Sequence, residues 1–462
     1  MESAATTNKK NIEKDKGLVR KLGPVSATAI VVANMIGAGI FTTSGIMAAE
    51  LPSAGWVIFC WIFGGAIALS GALCYAELAT RMPQAGGEYL YLKKLYHPAL
   101  GFLTGWTSFF VGFSVPIAAS ALGFSEYLFA GLIARLPEIT PNTLLLYKKS
   151  IAVLIILIFT VIHYLGLRLG SIVQNILTAV KIFIVLGLAS IGLALGGGDW
   201  SYLSSGVSQP LNLWSLGTAM MLVGFSYSGW NASAYIAGEL RKPRKTLPVS
   251  LLAGTGIVIF IFLMVNVFIF QSARYAEIQG TIAVVKTAAV GSFGNWIGEN
   301  LSFLIAIGLL SSLSAFIILG PRVYYAMAQD RLFFPFAAKV HKRYLVPAAS
   351  IVIQGAIAVL MVVIGSFEQL LIYIGFALGI FPWLAVVGVF IARKHKIGEE
   401  SAFKVWGYPV VPIFFLFCSL VLMIFNYINR PLESTAAVVT VLAGIPCYYL
   451  WVRSVNKANS KK

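Results

Sequence analysis

The sequence predicts an all-α protein that crosses a membrane twelve times. Of its 462 residues, 58% are hydrophobic and only 11% are charged, whereas about 25% of the residues of a soluble globular protein are charged. A soluble chain this apolar would expose large hydrophobic patches and aggregate. Apolar stretches of about 20 residues, the length that crosses a bilayer as a helix, recur along the whole chain. We therefore predict a polytopic membrane protein.

Twelve apolar stretches are long enough to be spans. They lie at residues 25–50, 55–79, 99–127, 146–166, 170–195, 214–238, 247–271, 297–328, 347–366, 369–392, 409–428 and 434–453. Two further segments are too polar to cross. We interpret residues 81–98 as a cytoplasmic re-entrant or interfacial helix, and residues 273–296 as a long external loop with short helices.

The basic residues orient these spans. The net charge is +17, and 27 of the 34 Lys and Arg residues fall in the termini and loops of one side, against six in the loops of the other. An even number of spans puts both termini on one side, and basic residues accumulate in cytoplasmic segments. We therefore expect both termini in the cytoplasm and the protein in the plasma (inner) membrane. The scatter of the charges over many loops argues against a nucleic-acid partner.

Two spans contain matching interruptions. In the first, Gly37, Ala38 and Gly39 fall at the middle of the span, and the β-branched Ile36 and Ile40 beside them do little to restore a helix. Small residues also form packing faces between membrane helices, but glycines two positions apart point to different sides. In the sixth span, Gly224 and Gly229 bracket aromatic and hydroxyl residues.

The two interruptions are five spans apart, which is the spacing of a five-plus-five inverted repeat. Paired broken helices of this kind mark a binding site near the bilayer midplane. We divide the chain into an N-terminal arm (1–24), a core of ten helices (25–392, with repeats at about 25–195 and 214–392) and a last segment (393–462) with two helices and the C-terminal tail. Free N–H groups at one break suit a carboxylate, and free carbonyls at the other half-helix suit an ammonium. An amino acid fits both without a charged side chain, and no acidic residue lies near either break in the sequence.

Lys181 lies deep in the fifth span, where a charge is costly and usually functional. Snorkelling to the cytoplasmic interface is the alternative, but the distance is about ten residues. We expect its ammonium to meet carbonyls at the end of the first half-helix and hydroxyls of the eighth span, Ser312 or Ser314. No catalytic dyad, metal cluster or phosphate loop is evident, so we predict neither an enzyme nor a cofactor. The four cysteines lie in or beside apolar stretches, without a disulfide or metal pattern.

Four ordered motifs resemble the amino acid–polyamine–organocation (APC) superfamily, and within it the L-type amino acid transporter branch and its bacterial relatives. They are MIGAGIF (35–41), MPQAGGEYLYL (82–92) followed by GFLTGW (101–106), GFSYSGWNASAYIAGELRKPRKTLP (224–248) and PRVYYAMAQDRLFFP (321–335). Each motif alone is weak, but the ordered set covers most of the first eight spans. The resemblance implies the LeuT-type fold.

The resemblance also implies roles for individual residues. The substrate carboxylate is expected at the backbone of Ala38 and Gly39, within a binding segment that runs from Met35 through Ile36, Gly37 and Ile40. The amine is expected at carbonyls near Met35, Phe225, Ser226 and Ser228. Phe225 is the expected aromatic lid, and Trp230 and Asn231 the expected supports of the second break. Lys181 matches the fifth-helix lysine of many members that lack a sodium site.

Two departures from the family pattern bear on partners and substrate. The loop between spans 3 and 4 has no cysteine, so we expect no disulfide-linked heavy subunit. Position 38 is Ala where Ser is frequent, and position 228 is Ser where large-substrate members have Gly, which hints at a tighter pocket.

We expect sodium-independent transport of small neutral L-amino acids such as alanine and serine, by alternating access and exchange. One alternative is a proton-coupled symporter with Lys181 as the switch. Another is a carrier of cationic amino acids or polyamines, which usually needs a buried carboxylate in the pocket, and none is evident from the sequence. A sensor that does not transport is a further alternative.

Overall fold

A computed structural model describes residues 22–84, 86–132, 139–204, 206, 210–341, 343–344, 346–400 and 402–459. Regular structure in these ranges is helical, apart from two isolated β-bridges. The helices, numbered in chain order, are α1 (Pro24–Met35), α2 (Ala38–Glu50), α3 (Ala54–Arg81), α4 (Glu88–Leu95), α5 (Pro98–Thr107), α6 (Ser114–Leu132), α7 (Pro141–Tyr164), α8 (Leu167–Leu195), α9 (Leu213–Ser226), α10 (Ala232–Tyr235), α11 (Pro243–Ser272), α12 (Tyr275–Ile278), α13 (Val284–Phe293), α14 (Asn295–Gln329), α15 (Ala348–Ile364), α16 (Phe367–Lys394), α17 (Val410–Asn429) and α18 (Pro431–Asn459). A π-helical turn, Ser108–Gly112, joins α5 to α6.

The helices follow the predicted spans closely. Nine helical segments in the described ranges are long and apolar enough to cross a membrane. Two further apolar helices at predicted spans, α9 and α15, have 14 and 17 residues, and α16, with 28 residues, covers the predicted tenth span. The protein is a polytopic helical membrane protein, and the count of twelve crossings stays a prediction.

The third and eighth spans form the centre of the bundle. Within Pro98–Leu132, 89% of the most apolar window is buried, and within Asn295–Gln329, 67%. The corresponding value is only 22% for α7, α17 and α18, whose exposed leucine, isoleucine and phenylalanine side chains suit contact with lipid. The first span packs against this centre and the sixth span packs against the first, so their interruptions lie inside the protein rather than against lipid.

The segment after α11 covers one end of the bundle. As predicted for 273–296, it contains two short helices, α12 and α13. The Gly280 amide donates to the Gly45 carbonyl of α2 at 2.9 Å, and the Tyr275 hydroxyl donates to the Leu51 carbonyl at 2.7 Å. These bonds hold the segment against α2, the second half of the first span.

The opposite end is held by polar pairs. Arg393 of α16 makes a two-point bond to Glu77 of α3, with N···O distances of 2.9 and 2.6 Å, and Arg81 adds a third bond at 3.1 Å. Lys93 of α4 pairs with Asp330 at the end of α14 at 2.7 Å. The interfacial segment predicted for 81–98 therefore folds as α4 and joins this end of the bundle. Residues 1–21 of the predicted N-terminal arm lie outside the described residues.

Candidate functional site

The first span is interrupted where the sequence predicts. Helix α1 ends at Met35 and α2 begins at Ala38, and the linking Ile36 and Gly37 have ψ angles of 81° and −159°, outside the helical region. The Gly37 amide turns back to the Met35 carbonyl at 2.8 Å. The break therefore leaves amides and carbonyls of the mid-span backbone available to other groups.

The sixth span is interrupted at the matching position. Helix α9 ends at Ser226, and a turn at residues 227–231 separates it from α10. Gly229 has φ +99°, and a Cβ atom built on it would lie 2.6 Å from Nδ2 of Asn34. Only glycine has access to this conformation at low cost and also fits this close approach. The second break therefore presses against the end of α1.

The two broken spans also meet where α2 passes the end of α9. A Cβ atom built on Gly39 would lie 2.7 Å from Cα of Ser226, so α2 and α9 approach almost backbone to backbone. The Ser226 hydroxyl donates to the Leu222 carbonyl at 2.8 Å and lies 3.2 Å from the Thr43 hydroxyl. Ala38, Gly39 and Ile40 begin a helix of 13 residues, and the amides of a first helical turn have no acceptor within their own helix. This end carries the positive partial charge that favours an anion.

Lys181 joins three spans. Its side chain is fully buried, and its Nζ donates to the Ala33 carbonyl at 2.8 Å, the Ile36 carbonyl at 2.5 Å and the Ser312 hydroxyl at 3.1 Å. Ser312 in turn donates to the Ile36 carbonyl at 3.1 Å. The ammonium thus binds the negative, carbonyl-bearing end of α1 and connects it to α8 and α14.

Ser314 does not make the contact expected from the sequence. Its hydroxyl lies 2.8 Å from Nε2 of His163 on α7. Ser312 and Ser314 are two positions apart on α14 and point in different directions from the helix axis. Of the two serines named from the sequence, only Ser312 meets the lysine.

A cavity of about 190 Å³ lies beside the second break. Of the predicted site residues, Phe225, Ser228, Trp230 and Asn231 line it, together with residues of α1, α4, α16, α17 and the π-helical turn. Met35, Ile36, Gly37, Ala38, Gly39, Ile40 and Ser226 lie at the two breaks but do not form its wall. Phe225 is only 9% exposed, so its ring lies between the cavity and the packed helices.

The two residues predicted to support the second break contact its surroundings directly. The ring centroid of Trp230 lies 4.8 Å from that of Tyr75 and 6.1 Å from that of Phe415. Nδ2 of Asn231 donates to Oε1 of Glu88 at 2.7 Å and lies 3.3 Å from the Tyr235 hydroxyl. The turn at 227–231 is therefore held by side chains on both sides.

Glu88 corrects the prediction that no acidic residue lies near either break. It is 5% exposed, lines the cavity and accepts hydrogen bonds from Asn231 and from the Tyr75 hydroxyl, both at 2.7 Å. Burial raises the pKa of its carboxyl group, while the hydrogen bonds oppose that rise. One indirect signal for this site is present in the sequence: the two glycines before Glu88, both of which have positive φ and turn the chain into α4.

Two amide side chains on the cavity wall carry polar atoms without a partner. Oδ1 of Asn34 accepts no hydrogen bond from the described residues, and neither side-chain polar atom of Asn426 has a partner among them. Both residues are less than 9% exposed and line the cavity. Unpaired buried polar atoms are costly and mark places where a ligand or water binds.

Comparisons with known proteins also indicate an amino acid transporter. The family model described as amino acid permease matches residues 22–451. The chain is 30% identical over 440 residues to the serine/threonine exchanger SteT of Bacillus subtilis (strain 168), covering 94% of this chain and 97% of that protein. It is 30% identical to the b(0,+)-type amino acid transporter 1 of Homo sapiens, covering 95% of this chain and 89% of the relative. With the Asc-type amino acid transporter 1 of Mus musculus the identity is 26%, over 94% and 82% of the two chains. The chain therefore belongs to the amino acid permease family of the APC superfamily, a family of multi-pass membrane transporters of amino acids.

Proposed function

We propose that this protein exchanges small neutral L-amino acids, such as serine and alanine, across the membrane without sodium. The substrate carboxylate binds at the amides that begin α2, and its amine binds at carbonyls of the two breaks. Phe225 closes over the substrate, and the broken spans then move against the remaining helices to expose the site on the other side.

The observation that carries sodium independence is the position of Lys181. Its ammonium already occupies the place between the carbonyls of Ala33 and Ile36 and the hydroxyl of Ser312. This ligand set of carbonyl and hydroxyl oxygens is one that a cation prefers. Since a fixed ammonium fills it, an alkali cation has no room there. Without a driving ion, the counter-movement of a second amino acid completes the cycle.

The cavity supports a small and uncharged side chain. Its volume of about 190 Å³ is below the roughly 300–1,000 Å³ of pockets that hold drug-sized ligands. Ser228 and Asn34 line it, and the Asn34 Oδ1 has no hydrogen-bond partner among the described residues. That oxygen can accept a hydrogen bond from a substrate hydroxyl, which favours serine over an apolar side chain of equal size. One relative that matches 94% of this chain is named a serine/threonine exchanger.

We also propose that the protein lies in the plasma (inner) membrane with both termini in the cytoplasm. The charge bias of the loops supports this orientation. We expect it to work without a disulfide-linked heavy subunit, since its four cysteines are free and three of them are buried.

Counterflow in liposomes tests the proposal. Purified protein is reconstituted into vesicles loaded with unlabelled serine, and uptake of labelled serine is compared with uptake into empty vesicles. We expect uptake only into loaded vesicles, unchanged when sodium is replaced by potassium on both sides. Accumulation in empty vesicles driven by a pH gradient would support the proton-coupled alternative instead and would reject exchange.

A carrier of cationic amino acids remains the second candidate because Glu88 places a buried carboxylate on the cavity wall. That carboxylate already accepts hydrogen bonds from Asn231 and Tyr75, which leaves less capacity for a substrate cation. Competition decides between the two candidates. Excess alanine should suppress uptake of labelled serine, whereas excess lysine, arginine or putrescine should leave it unchanged.

A further inference from the structure

Glu88 lies where three structural elements meet. It begins α4 and accepts hydrogen bonds from Tyr75 of α3 and from Asn231 in the second break. The Tyr235 hydroxyl of α10 accepts a hydrogen bond from the same Asn231 side chain at 3.3 Å and lowers the pKa of the Glu88 carboxyl group. Asn231 and Tyr235 belong to the broken sixth span, whereas α3 is one helix of 28 residues.

The groups that face Glu88 are polar but uncharged. The titratable ones are the hydroxyls of Tyr75, Tyr91 and Tyr235, and a tyrosine hydroxyl is protonated near neutral pH because its ordinary pKa is about 10. In the part of the chain that the structure describes, no Lys, Arg or His forms a salt bridge with the Glu88 carboxylate. A buried carboxylate without a cation is costly, and protonation removes that cost.

The pairing of Glu88 with the break makes its proton affinity depend on conformation. When α10 and the turn before it move away from α4, as alternating access requires, Asn231 and Tyr235 withdraw and water reaches the carboxyl group. Hydration favours the ionised form. A proton bound in the present arrangement is therefore released on opening, and by linkage a bound proton stabilises the present arrangement.

The direction of the pH effect follows from this linkage. Because burial raises the pKa of Glu88 in the present arrangement, acid favours this arrangement and rising pH favours the opened one. Glu88 begins α4, which lies in the segment that the sequence predicts at the cytoplasmic interface, so its proton exchanges on that side.

We propose that the Glu88 carboxyl group is a proton-binding site that couples the inner half of the sixth span to α4. The proton binds and leaves on the same, cytoplasmic side. Exchange is then sensitive to pH but is not driven by a pH gradient. This inference rests on the proposed exchange function, since it explains how a cycle without a driving ion is still gated by protons.

The test measures serine counterflow at equal pH on both sides of the vesicle, from acidic to alkaline pH. For the wild-type protein the rate should fall on the acid side by up to about tenfold per pH unit, as the ionised fraction of one group does. Glu88→Gln mimics the protonated state. It should exchange slowly at every pH, near the acid limit of the wild type. Glu126→Gln is the matched control, because Glu126 pairs with Lys148 near the opposite end of the bundle, at 2.6 Å.

A second variant separates titration from a purely structural role. Tyr235→Phe removes one hydroxyl that stabilises the ionised carboxylate. The fall of the counterflow rate on the acid side, the acid limb of the pH profile, should therefore move to higher pH. Infrared difference spectra of the purified protein should show a protonated carboxyl band that titrates and is missing in Glu88→Gln. This reading does not need transport activity.

The outcomes are distinguishable. An acid limb that persists unchanged in Glu88→Gln overturns the proton site while leaving exchange intact. Serine accumulation driven by a pH gradient, and abolished in Glu88→Gln, overturns the same-side release. Absence of counterflow at every pH, with the titrating infrared band present in the wild type, rejects the exchange proposal but supports the proton site.

Discussion

Replacement of Lys181 by alanine tests how the first break is held. In the wild type the ammonium donates to the carbonyls of Ala33 and Ile36 and to Ser312, all within 3.1 Å. The side chain is fully buried, so water does not replace the lost donor from outside. A buried carbonyl left without a partner costs about 1–3 kcal/mol. Only the Ala33 carbonyl is left without a donor, because Ser312 still donates to the Ile36 carbonyl at 3.1 Å. The replacement therefore costs about 1–3 kcal/mol before the cavity left by the side chain is counted.

This cost falls on an arrangement that the transport cycle needs. About 2 kcal/mol corresponds to a factor of roughly 30 in an equilibrium constant. We therefore expect Lys181→Ala to lower the initial rate of serine counterflow about 30-fold, and to lower the unfolding temperature of the purified protein. Lys149→Ala is the matched control. Its Nζ also donates to a backbone carbonyl, that of Val363, at 2.9 Å, but the bond is exposed to solvent.

The effect of sodium on the counterflow rate of Lys181→Ala is a second test of this role. If the ammonium fills a cation site, its removal opens that site, and sodium should restore part of the counterflow in Lys181→Ala but not change the wild type. Wild-type counterflow in Lys181→Ala would refute the role of the lysine. Sodium dependence of the wild-type protein would refute the assignment of the ligand set to the lysine.

Three further variants test the second break, the cavity and the inner end of the bundle. Gly229→Ala forces φ +99° on a residue with a Cβ atom, 2.6 Å from Asn34. It should cost at least about 1–2 kcal/mol and abolish exchange, whereas Gly256→Ala, which meets open space, should leave the unfolding temperature and the counterflow rate near wild type. Asn34→Leu should raise the ratio of alanine to serine in competition assays, because it removes the unpartnered Oδ1 from the cavity wall; an unchanged ratio would reject that contact. Arg393→Ala removes the two-point bond to the buried carboxylate of Glu77 but leaves its bond with Arg81, so it should destabilise the protein by up to about 3 kcal/mol, and the double variant with Glu77→Gln should regain part of the loss in a thermal unfolding assay.

The helical architecture and both breaks were predictable because they follow from local physics. The requirement for internally satisfied backbone bonds in lipid makes long apolar stretches helical. Such helices are interrupted only where several residues of low helix propensity lie close together, as they do around Gly37 and Gly229. Lys181 was predictable for a similar reason, since a charge inside a span must find partners within the bundle. The carbonyls at the end of α1 are the nearest unpaired acceptors of the right polarity.

The remainder of the site depends on contacts between distant parts of the chain. Glu88 and Asn231 are 143 positions apart, and no periodicity in either segment predicts that they meet. Whether Ser312 or Ser314 meets Lys181 depends on the rotation of α14 about its own axis, which packing against α6 and α8 decides. The walls contributed by α16 and α17 are apolar helices without a motif, so the sequence offers no sign that they face the cavity.

Lys181 and Glu88 together show how the two breaks differ. The first break ends in carbonyls and is held by a cation from outside its own span. The second presents the Asn231 amide donor and is held by an acidic residue from outside its own span. Neither Lys181 nor Glu88 has an ion-pair partner among the described residues. The ammonium, and the carboxyl group when it is ionised, are therefore balanced only by dipoles that move when the broken span moves. A cycle that displaces either half-span must therefore rehydrate, reprotonate or re-pair that charge. Lys181 contacts the break in the first span, and Glu88 contacts the break in the sixth. Displacing one break therefore changes the electrostatic free energy of one of these groups without changing that of the other. The Glu88→Gln variant should change the pH dependence of exchange and leave its sodium independence intact, whereas Lys181→Ala should alter the response to sodium.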